Sequence, residues 1–379
     1  MLSRRTFGIG LAALGLSACG GVIPPPVTAR SSSALPADLQ PVPNANYDAW
    51  VAAFRTRAAQ QGISQATLNA AFRGTGYLPG VVRRDRNQTE FSRSLEDYLA
   101  IAASDERIAK GRAAFAKHRS TLNALTARYG VDPEIITAIW GLESFYGERR
   151  GNVPVISATS TLAYDGRRGA FFERQLIAAL RIIQNGDIPA SQMTGSWAGA
   201  MGHTQFIPTS YQEFAVDFTG DGRRDIWSED PSDALASTAA YLQRNGWTRG
   251  LGWGREVTGA ASGGVLQPQA GGPRFATTSN FRVIKRYNNS DAYAIGVGHL
   301  ADRIGGAGPL RGSFPPDANG LTKDDRIALQ QRLTARGFDT QGADGVIGAN
   351  TTSAIKAYQA SQGLSVTGTP SPQMLSALR

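Results

Sequence analysis

Residues 131–147, VDPEIITAIWGLESFYG, predict a helix that carries one acidic side chain on an apolar stripe. Asp132 suits the N-cap position, Pro133 suits the first turn, and Gly147 can end the helix. Because steps of three and four residues share a helix face, four side chains fall on one stripe. They are Ile136, Ile139, Trp140 and Glu143.

Two effects favour the protonated form of Glu143. Apolar neighbours disfavour its charge by desolvation, and the C-terminal carbonyls of the helix repel an anion. A glutamic acid that stays protonated near neutral pH can act as the general acid that glycoside cleavage requires. The residues alone leave an alternative open, in which Glu143 lies on a solvated edge or pairs with Arg149.

A second informative segment is 195–211, GSWAGAMGHTQFIPTSY, where small residues alternate with aromatic ones. Small residues let the backbone approach a ligand closely, and aromatic rings offer stacking faces for sugars. Ser196 and Gln205 add hydrogen-bonding groups. The segment is typical of a saccharide site, but a tight contact between two helices also uses glycine and alanine.

Composition excludes several classes of protein. The chain has 379 residues, 41% of them apolar and only 18% charged, which excludes wholesale disorder and predicts two or three domains. One cysteine excludes a disulfide framework, and three scattered histidines exclude a zinc finger. The net charge of +9 favours an anionic partner such as nucleic acid, membrane lipid or a cell-wall polymer.

The N-terminus predicts export. Arg4 and Arg5 precede the apolar stretch 8–16, which is too short for a membrane span of about 20 residues but suits a signal peptide. The stretch leads into Leu-Ser-Ala-Cys, which resembles a bacterial lipobox and makes Cys19 the predicted acylated N-terminus. A free cysteine behind an ordinary signal peptide is the alternative. Segment 3–7, SRRTF, also resembles a twin-arginine signal, so the export route stays open, and export argues against a nucleic-acid partner.

Helical signals dominate after a Pro- and Ser-rich tether. Ser64 is a predicted N-cap, alternating strand patterns are scarce, and residues 256–280 are predicted to form a long loop. The last segment predicts three short helices, with Thr322 and Ser371 as N-caps. That segment contains no catalytic cluster, so binding is a more natural role for it than chemistry.

The C-terminal segment resembles a peptidoglycan-binding domain that is appended to many wall hydrolases. The matching positions are 344–348 (DGVIG), Thr351, Ala354, Ile355, Tyr358 and Gln359. A helical module that only adds stability and binds no ligand is the alternative.

The central part of the chain resembles the lytic murein transglycosylase B family over residues 85–303. Several separate motifs in the same order make this resemblance specific. The motifs are GLESFYG at 141–147, SWAGAMG at 196–202, QF at 205–206 with Pro208, AVDF at 215–218, and NFRVI at 280–284 followed by Tyr287 and Asn288.

The resemblance implies a mainly α fold with a lysozyme-like catalytic domain and a small three-helix peptidoglycan-binding domain. It divides the chain into a lipoprotein signal peptide (1–18), a flexible tether (19–45), a transglycosylase domain (46–305), a linker (306–320) and a peptidoglycan-binding domain (321–379).

The activity that the resemblance implies is cleavage of the β-1,4 bond between N-acetylmuramic acid and N-acetylglucosamine. The muramoyl C6 hydroxyl closes on C1 to leave a 1,6-anhydro end, and Glu143 acts first as acid and then as base. The substrate's N-acetyl group assists at C1, so one carboxylate suffices. This agrees with the sequence, in which neither Asp165 nor Glu173 can be placed beside Glu143.

The same resemblance implies that several residues line a saccharide groove and that Arg168, with Arg167, contacts the glycan or its peptide stem. The groove residues are Ser196, Gln205, Tyr287, Asn288 and Tyr293. No cofactor is required. The expected partners are peptidoglycan strands and a membrane that the lipid anchor enters, and the protein is expected to be a monomer.

Residues 217–225, DFTGDGRRD, resemble a calcium loop, with oxygen ligands at Asp217, Thr219 and Asp221. Position 12 holds Ser228 instead of an acid, and Asp233 is the later residue that could close the loop, as in some family members. Calcium would be a structural ion. A turn held by aspartate side chains is the alternative.

Two other functions compete with the leading one. A hydrolytic muramidase of the same fold would yield products that carry one more water. A non-catalytic, peptidoglycan-binding lipoprotein would yield no product. For location, Gly20 follows Cys19 in place of the aspartate that marks inner-membrane retention, which predicts the periplasmic face of an outer membrane.

Overall fold

The structure is a computed structural model that describes residues 35–87, 94–259 and 264–379. Within these ranges the protein is mainly helical, as predicted, with sixteen α-helices and five short strands. The helices are α1 Ala45–Gln60, α2 Gln65–Ala71, α3 Pro79–Arg86, α4 Leu95–Ala102, α5 Asp105–Lys117, α6 Arg119–Tyr129, α7 Pro133–Ser144, α8 Val155–Asp165, α9 Gly169–Gln184, α10 Pro208–Phe214, α11 Ser232–Arg244, α12 Ser279–Tyr287, α13 Asp291–Ile304, α14 Lys323–Ala335, α15 Ala349–Ser361 and α16 Pro372–Ala377. The strands are β1 Val153–Pro154, β2 Thr194–Gly195, β3 Gly254–Val257, β4 Val265–Leu266 and β5 Arg274–Thr277.

The predicted N-caps are confirmed. Ser64, Thr322 and Ser371 each accept a hydrogen bond from a backbone N–H in the first turn of the following helix. Thr322 and Asp325 form a complete capping box, which satisfies two amides that would otherwise lack partners. Asp132 occupies the cap position of α7, although its side chain makes no capping bond.

Helix α7 lies at the centre of the larger core. It packs against α5, α6, α11 and α13, and Ile136 and Ile139 are fully buried. Each such aliphatic side chain contributes about 1.5–3 kcal/mol when it leaves water. The central helix that carries Glu143 is therefore held on several sides, and its position is set by the core.

The prediction of a long loop over 256–280 is wrong. Strands β3, β5 and β4 form an antiparallel sheet in that order, with Val257 opposite Arg274 and Leu266 opposite Phe275. Phe275 is fully buried and packs beside Trp253. Strands of two to four residues in a glycine-rich segment are too short to show a period of two, and this explains the error.

Helices α14–α16 enclose a separate, smaller core. Its buried side chains are Leu321, Leu329, Leu333, Ala354, Ile355, Tyr358, Met374 and Leu378. Residues 306–320 contain no helix or strand and lead into this module. The three helices match the number and order that the caps predict.

Packing at the N-terminal end begins before residue 46. Leu39 is buried against Leu78 and Val81, so residues from 35 onward already contact α3. The predicted signal peptide, Cys19 and most of the predicted tether lie outside the described residues. Among the helices that the structure describes, none has the length and apolar character needed to cross a membrane.

Candidate active site

Glu143 lies in the last turn of α7 and is partly exposed. The Tyr293 hydroxyl donates a hydrogen bond of 2.6 Å to its Oε1. Burial raises the pKa of Glu143 to about 7, and the Tyr293 hydrogen bond opposes this rise. No charged side chain in the described part of the chain contributes to the shift. Glu143 is therefore a carboxyl group that holds its proton close to neutral pH.

Arg149 does not pair with Glu143. Its guanidinium lies over the Phe145 ring, 4.3 Å from the ring centroid, and the residue is exposed. The alternative in which an ion pair lowers the pKa of Glu143 is therefore wrong.

The turn after α7 is strained and strongly held. Phe145 and Tyr146 have φ values of +53° and +59°, a left-handed region that non-glycine residues rarely adopt, at a cost of about 1–3 kcal/mol each. The Tyr146 hydroxyl donates to Arg107 O at 2.8 Å, and its ring occupies the space where a Cβ on Gly141 would lie. The helix thus ends at Ser144, three residues before the predicted Gly147. The turn that follows holds the end of the helix, where Glu143 lies, in place.

Two tyrosines connect Glu143 to the next helices. The rings of Tyr287 and Tyr293 are stacked with centroids 6.4 Å apart and an interplanar angle of 12°. Tyr287 donates from its hydroxyl to Thr204 O at 2.7 Å. Tyr293 is buried, Tyr287 is partly exposed, and Asn288 is exposed just after α12. Helix α7, the end of α12 and α13 therefore bring together four residues of the predicted site, which are Glu143, Tyr287, Asn288 and Tyr293.

The segment that contains Ser196 and Gln205 is a loop held by its own hydrogen bonds. Ser196 Oγ accepts from the amide of Ala200, and Gln205 Nε2 donates to Arg150 O and Gly202 O at 3.0 and 2.8 Å. A Cβ on Gly202 would lie 2.2 Å from Ile226 O, so the close approach requires glycine there. Residues 196–207 contain no helix, and the alternative of a helix–helix contact is wrong.

His203 belongs to the structure of the site, although no pattern in the sequence singles it out. The indole N–H of Trp140 donates to His203 Nδ1 at 3.1 Å, and Nε2 lies 2.7 Å from Ser228 O. Burial lowers the pKa of His203 to about 4, so the ring is neutral at pH 7 and donates from Nε2. The Ser144 hydroxyl also donates to His203 O, at 2.5 Å. His203 therefore ties α7 to the loop that carries Gln205.

The two acids that the sequence could not place form ion pairs with arginines. Asp165 lies 2.5 Å from Arg86, and Glu173 lies 3.2 Å from Arg57. Neither contributes to the pKa of Glu143. Of these three acids, Glu143 is thus the one with the environment of a general acid.

Arg167 and Arg168 differ in their surroundings. Arg167 is paired with the buried Asp85 at 2.5 Å. Arg168 is exposed, and its guanidinium lies 4.4 Å from the centroid of the Phe171 ring. Both residues are exposed, and Arg167 is the one whose guanidinium is already engaged by a carboxylate.

The predicted calcium loop brings three acids together. Carboxylate oxygens of Asp217, Asp221 and Asp233 lie within 4.8 Å of one another. Asp233 accepts hydrogen bonds from the amides of Phe218 and Thr219, so this later residue reaches the loop. The Thr219 hydroxyl, in turn, lies 3.4 Å from Asp217 Oδ1 and donates to it. This donor set fits an oxygen-preferring ion, and the amide bonds also describe a turn held by aspartates.

The chain belongs to the transglycosylase SLT domain family, whose family model matches residues 46–266 and 259–302. A second model, described as a putative peptidoglycan binding domain, matches residues 322–378. Both resemblances predicted from the motifs are confirmed.

Individual relatives agree with this assignment. Membrane-bound lytic murein transglycosylase B of Escherichia coli is 32% identical over 222 residues, which cover 50% of this chain and 61% of the relative. SltB3 of Pseudomonas aeruginosa, crystallised with NAG-NAM-pentapeptide, is 44% identical with a TM-score of 0.70, covering 89% of this chain and all of SltB3. The Escherichia coli transglycosylase Slt35, crystallised with calcium, is 27% identical with a TM-score of 0.60, covering 69% of this chain and 93% of Slt35.

Proposed function

We propose that this protein is a lytic transglycosylase that cleaves the β-1,4 bond between N-acetylmuramic acid and N-acetylglucosamine in peptidoglycan. The observation that carries the proposal is the carboxyl group of Glu143, whose pKa is raised to about 7 by burial and whose Oε1 is held by Tyr293. SltB3 has also been crystallised with NAG-anhNAM-pentapeptide, which contains the anhydro sugar that such a reaction forms.

The hydrogen bond from Tyr293 assigns the two oxygens of Glu143 different tasks. Because Oε1 accepts from Tyr293, the acidic proton resides on Oε2. In the first step Oε2 gives this proton to the bridging oxygen as the C1–O bond breaks. In the second step the resulting carboxylate takes the proton of the C6 hydroxyl, while O6 forms a bond to C1. The proton returns to Glu143 and no water is consumed.

Product mass separates this reaction from hydrolysis. Muropeptides released from purified peptidoglycan by the mature protein should carry 1,6-anhydro ends and weigh one water less than hydrolytic products. Products with reducing ends would support the muramidase. No release at all would support a non-catalytic binding protein.

We assign glycan contacts to the partly or fully exposed members of the predicted site. They are Ser196, Gln205, Tyr287, Asn288 and Arg168. Tyr293 is 3% exposed and its hydroxyl is engaged with Glu143, so we assign it the role of positioning the acid.

The variant Tyr293→Phe should move the pH profile of turnover to higher pH. A general acid works while protonated, so activity of the wild type should fall as the pH rises through about 7, the pKa of Glu143. The Tyr293 hydrogen bond lowers that pKa, and its removal should raise the midpoint of the falling limb. Initial rates between pH 5 and 9 measure this. A midpoint that stays in place or moves down would contradict the assignment.

We further propose that the acidic loop holds calcium as a structural ion, with Asp217, Asp221 and Asp233 as ligands. The ion would neutralise three neighbouring carboxylates and would take no part in the reaction. Calcium at 1,000 times its Kd should stabilise the fold by about 4 kcal/mol, visible as a higher melting temperature than in EDTA. Asp221→Asn should abolish the difference, whereas the control Asp291→Asn, at a partly exposed aspartate outside the loop, should retain it. Equal melting temperatures for the wild type in calcium and EDTA would show a turn without an ion.

We propose that lipid on Cys19 anchors the protein to the periplasmic face of the outer membrane. The Escherichia coli relative is named membrane-bound, which supports a membrane location of this kind. A stable anchor needs more than one acyl chain, which lipoprotein modification supplies. Cys19→Ala should move the protein from the membrane fraction to the soluble fraction, while Ser17→Ala should leave it in the membrane. If Cys19→Ala stays in the membrane fraction, the anchor lies elsewhere.

A further inference from the structure

The C-terminal module is attached to the larger domain by a buried arginine. Arg326 in α14 is 2% exposed, and its Nη2 lies 2.7 Å from Glu96 and 3.1 Å from Asp97, both in α4. Its other nitrogens contact Asp317 and the carbonyl oxygens of Leu321 and Gly345. Such a charge is stable in the interior only when its partners stay in place, so α14 and α4 are held together.

The connecting segment 306–320 is also held. Glu256 in β3 accepts hydrogen bonds from the amides of Arg311 and Gly312 at 2.8 and 2.6 Å. Phe314 packs against the larger core, beside Gly272. The segment that is predicted to be a linker is thus bound to the three-stranded sheet, and the module has a defined position.

Between the two parts lies a cleft with a volume of about 1020 Å³. One wall comes from α4, the first residue of α5 and α13, and the other comes from α14. Residues 309–314 of the connecting segment line the cleft as well. His299, which lines it, is 7% exposed and has no hydrogen-bond partner among the described residues. Arg303 lines it too, and its Nε is buried without a partner in the same part of the chain. The ring nitrogens of His299 are not among the fully buried atoms without partners, so solvent or a ligand in the cleft can reach them.

The charged groups of the cleft have both signs. Lys323 and Asp324 lie on the α14 wall, and Asp105 lies on the α5 wall. None of the three forms an ion pair within the described ranges, although oppositely charged groups face the same space. Burial lowers the pKa of His299 to about 4, so its neutral ring can both donate and accept a hydrogen bond. A ligand that carries an ammonium group, carboxylates and amides would match this set.

We propose that this cleft binds the peptide stem of peptidoglycan, a peptide with amide bonds, free carboxylates and an ammonium group. The proposal rests on the proposed function, since it names the part of the same polymer that occupies a second site. Lys323 and Arg303 take carboxylates, Asp105 and Asp324 take the ammonium group, and His299 takes a backbone amide. The Arg326 contact keeps the two walls at the distance that the peptide spans.

Calorimetric titration of the full chain with a free stem pentapeptide that contains a diamino acid tests the proposal. The wild-type protein serves as the parent, because a free peptide contains no glycosidic bond that it could cleave. Lys323→Glu should weaken peptide binding at least about tenfold, which is the size of one charge-assisted hydrogen bond. Asp105→Asn, on the opposite wall, should weaken it by a similar factor.

Two matched controls make the result specific. Lys356→Glu reverses the charge of an exposed lysine elsewhere on the module, and Glu106→Gln removes the charge of the residue next to Asp105. Both should bind the peptide as the parent does. Loss of binding in Lys323→Glu alone would mean that the module binds by itself, and it would overturn the two-walled cleft. Unchanged binding in both test variants, or no binding by the parent, would overturn it as well.

This measurement is independent of turnover. If the wild-type protein releases anhydro-muropeptides but the peptide does not bind, only the cleft proposal fails. If the peptide binds but the products carry reducing ends, only the proposed reaction fails.

Discussion

Replacing Glu143 with Gln should lower turnover on purified peptidoglycan by at least about a hundredfold. The amide keeps the shape of the side chain and can still accept from Tyr293, but it cannot give a proton to the leaving oxygen. General acid–base catalysis contributes about 10²–10⁴-fold, which sets this expectation. Release of anhydro-muropeptides, followed by mass spectrometry, is the measurement. Turnover at the wild-type rate would remove Glu143 from the mechanism.

Glu134→Gln is the matched control, because Glu134 lies in the first turn of the same helix. It should retain full turnover and thereby separate loss of the acid from damage to α7. Thermal unfolding adds a second readout. The folded-state pKa of about 7 lies above the ordinary 4.5, so the wild type should lose stability as the pH rises from about 4.5 through 7. Glu143→Gln lacks the titrating group and should not show that loss.

Local sequence patterns predicted those features of the site that arise within a single helix. The apolar stripe around Glu143 anticipates its raised pKa because desolvation follows directly from the neighbours at three- and four-residue spacing. The end of α7 was predicted less well. Gly147 suggested the stop, whereas the contacts of Ser144 with His203 and of Tyr146 with Arg107 end the helix earlier.

The features that the sequence did not predict are contacts between distant segments. Trp140 and His203 are 63 positions apart, and Arg326 and Glu96 are 230 positions apart. A single buried arginine has no periodicity and resembles any surface arginine in a helix. The sheet at β3–β5 was missed for a related reason, since its strands are defined by partners and not by an alternating pattern.

Arg326→Met should lower the free energy of unfolding of the C-terminal module by about 3 kcal/mol. Removing one member of a buried ion pair leaves the other charges without compensation, which costs about 3–5 kcal/mol, and the partial exposure of Asp97 and Asp317 favours the lower value. The module contains no tryptophan, so hydrogen exchange of α14 is the suitable measurement. Exchange should accelerate by on the order of a hundredfold. Arg336→Met, at an exposed arginine just after α14, should change it far less.

A second substitution separates a buried charge from lost packing. In Arg326→Met the carboxylate of Glu96 stays buried, with its side chain 11% exposed, and has no cation beside it. Adding Glu96→Gln removes that charge, so the double variant should recover part of the lost stability. Limited proteolysis within residues 306–320 should be slowest in the wild type, faster in the double variant and fastest in Arg326→Met. If the double variant is as unstable as Arg326→Met alone, the contact stabilises the module through shape, and the charges on α4 do not determine where the module sits.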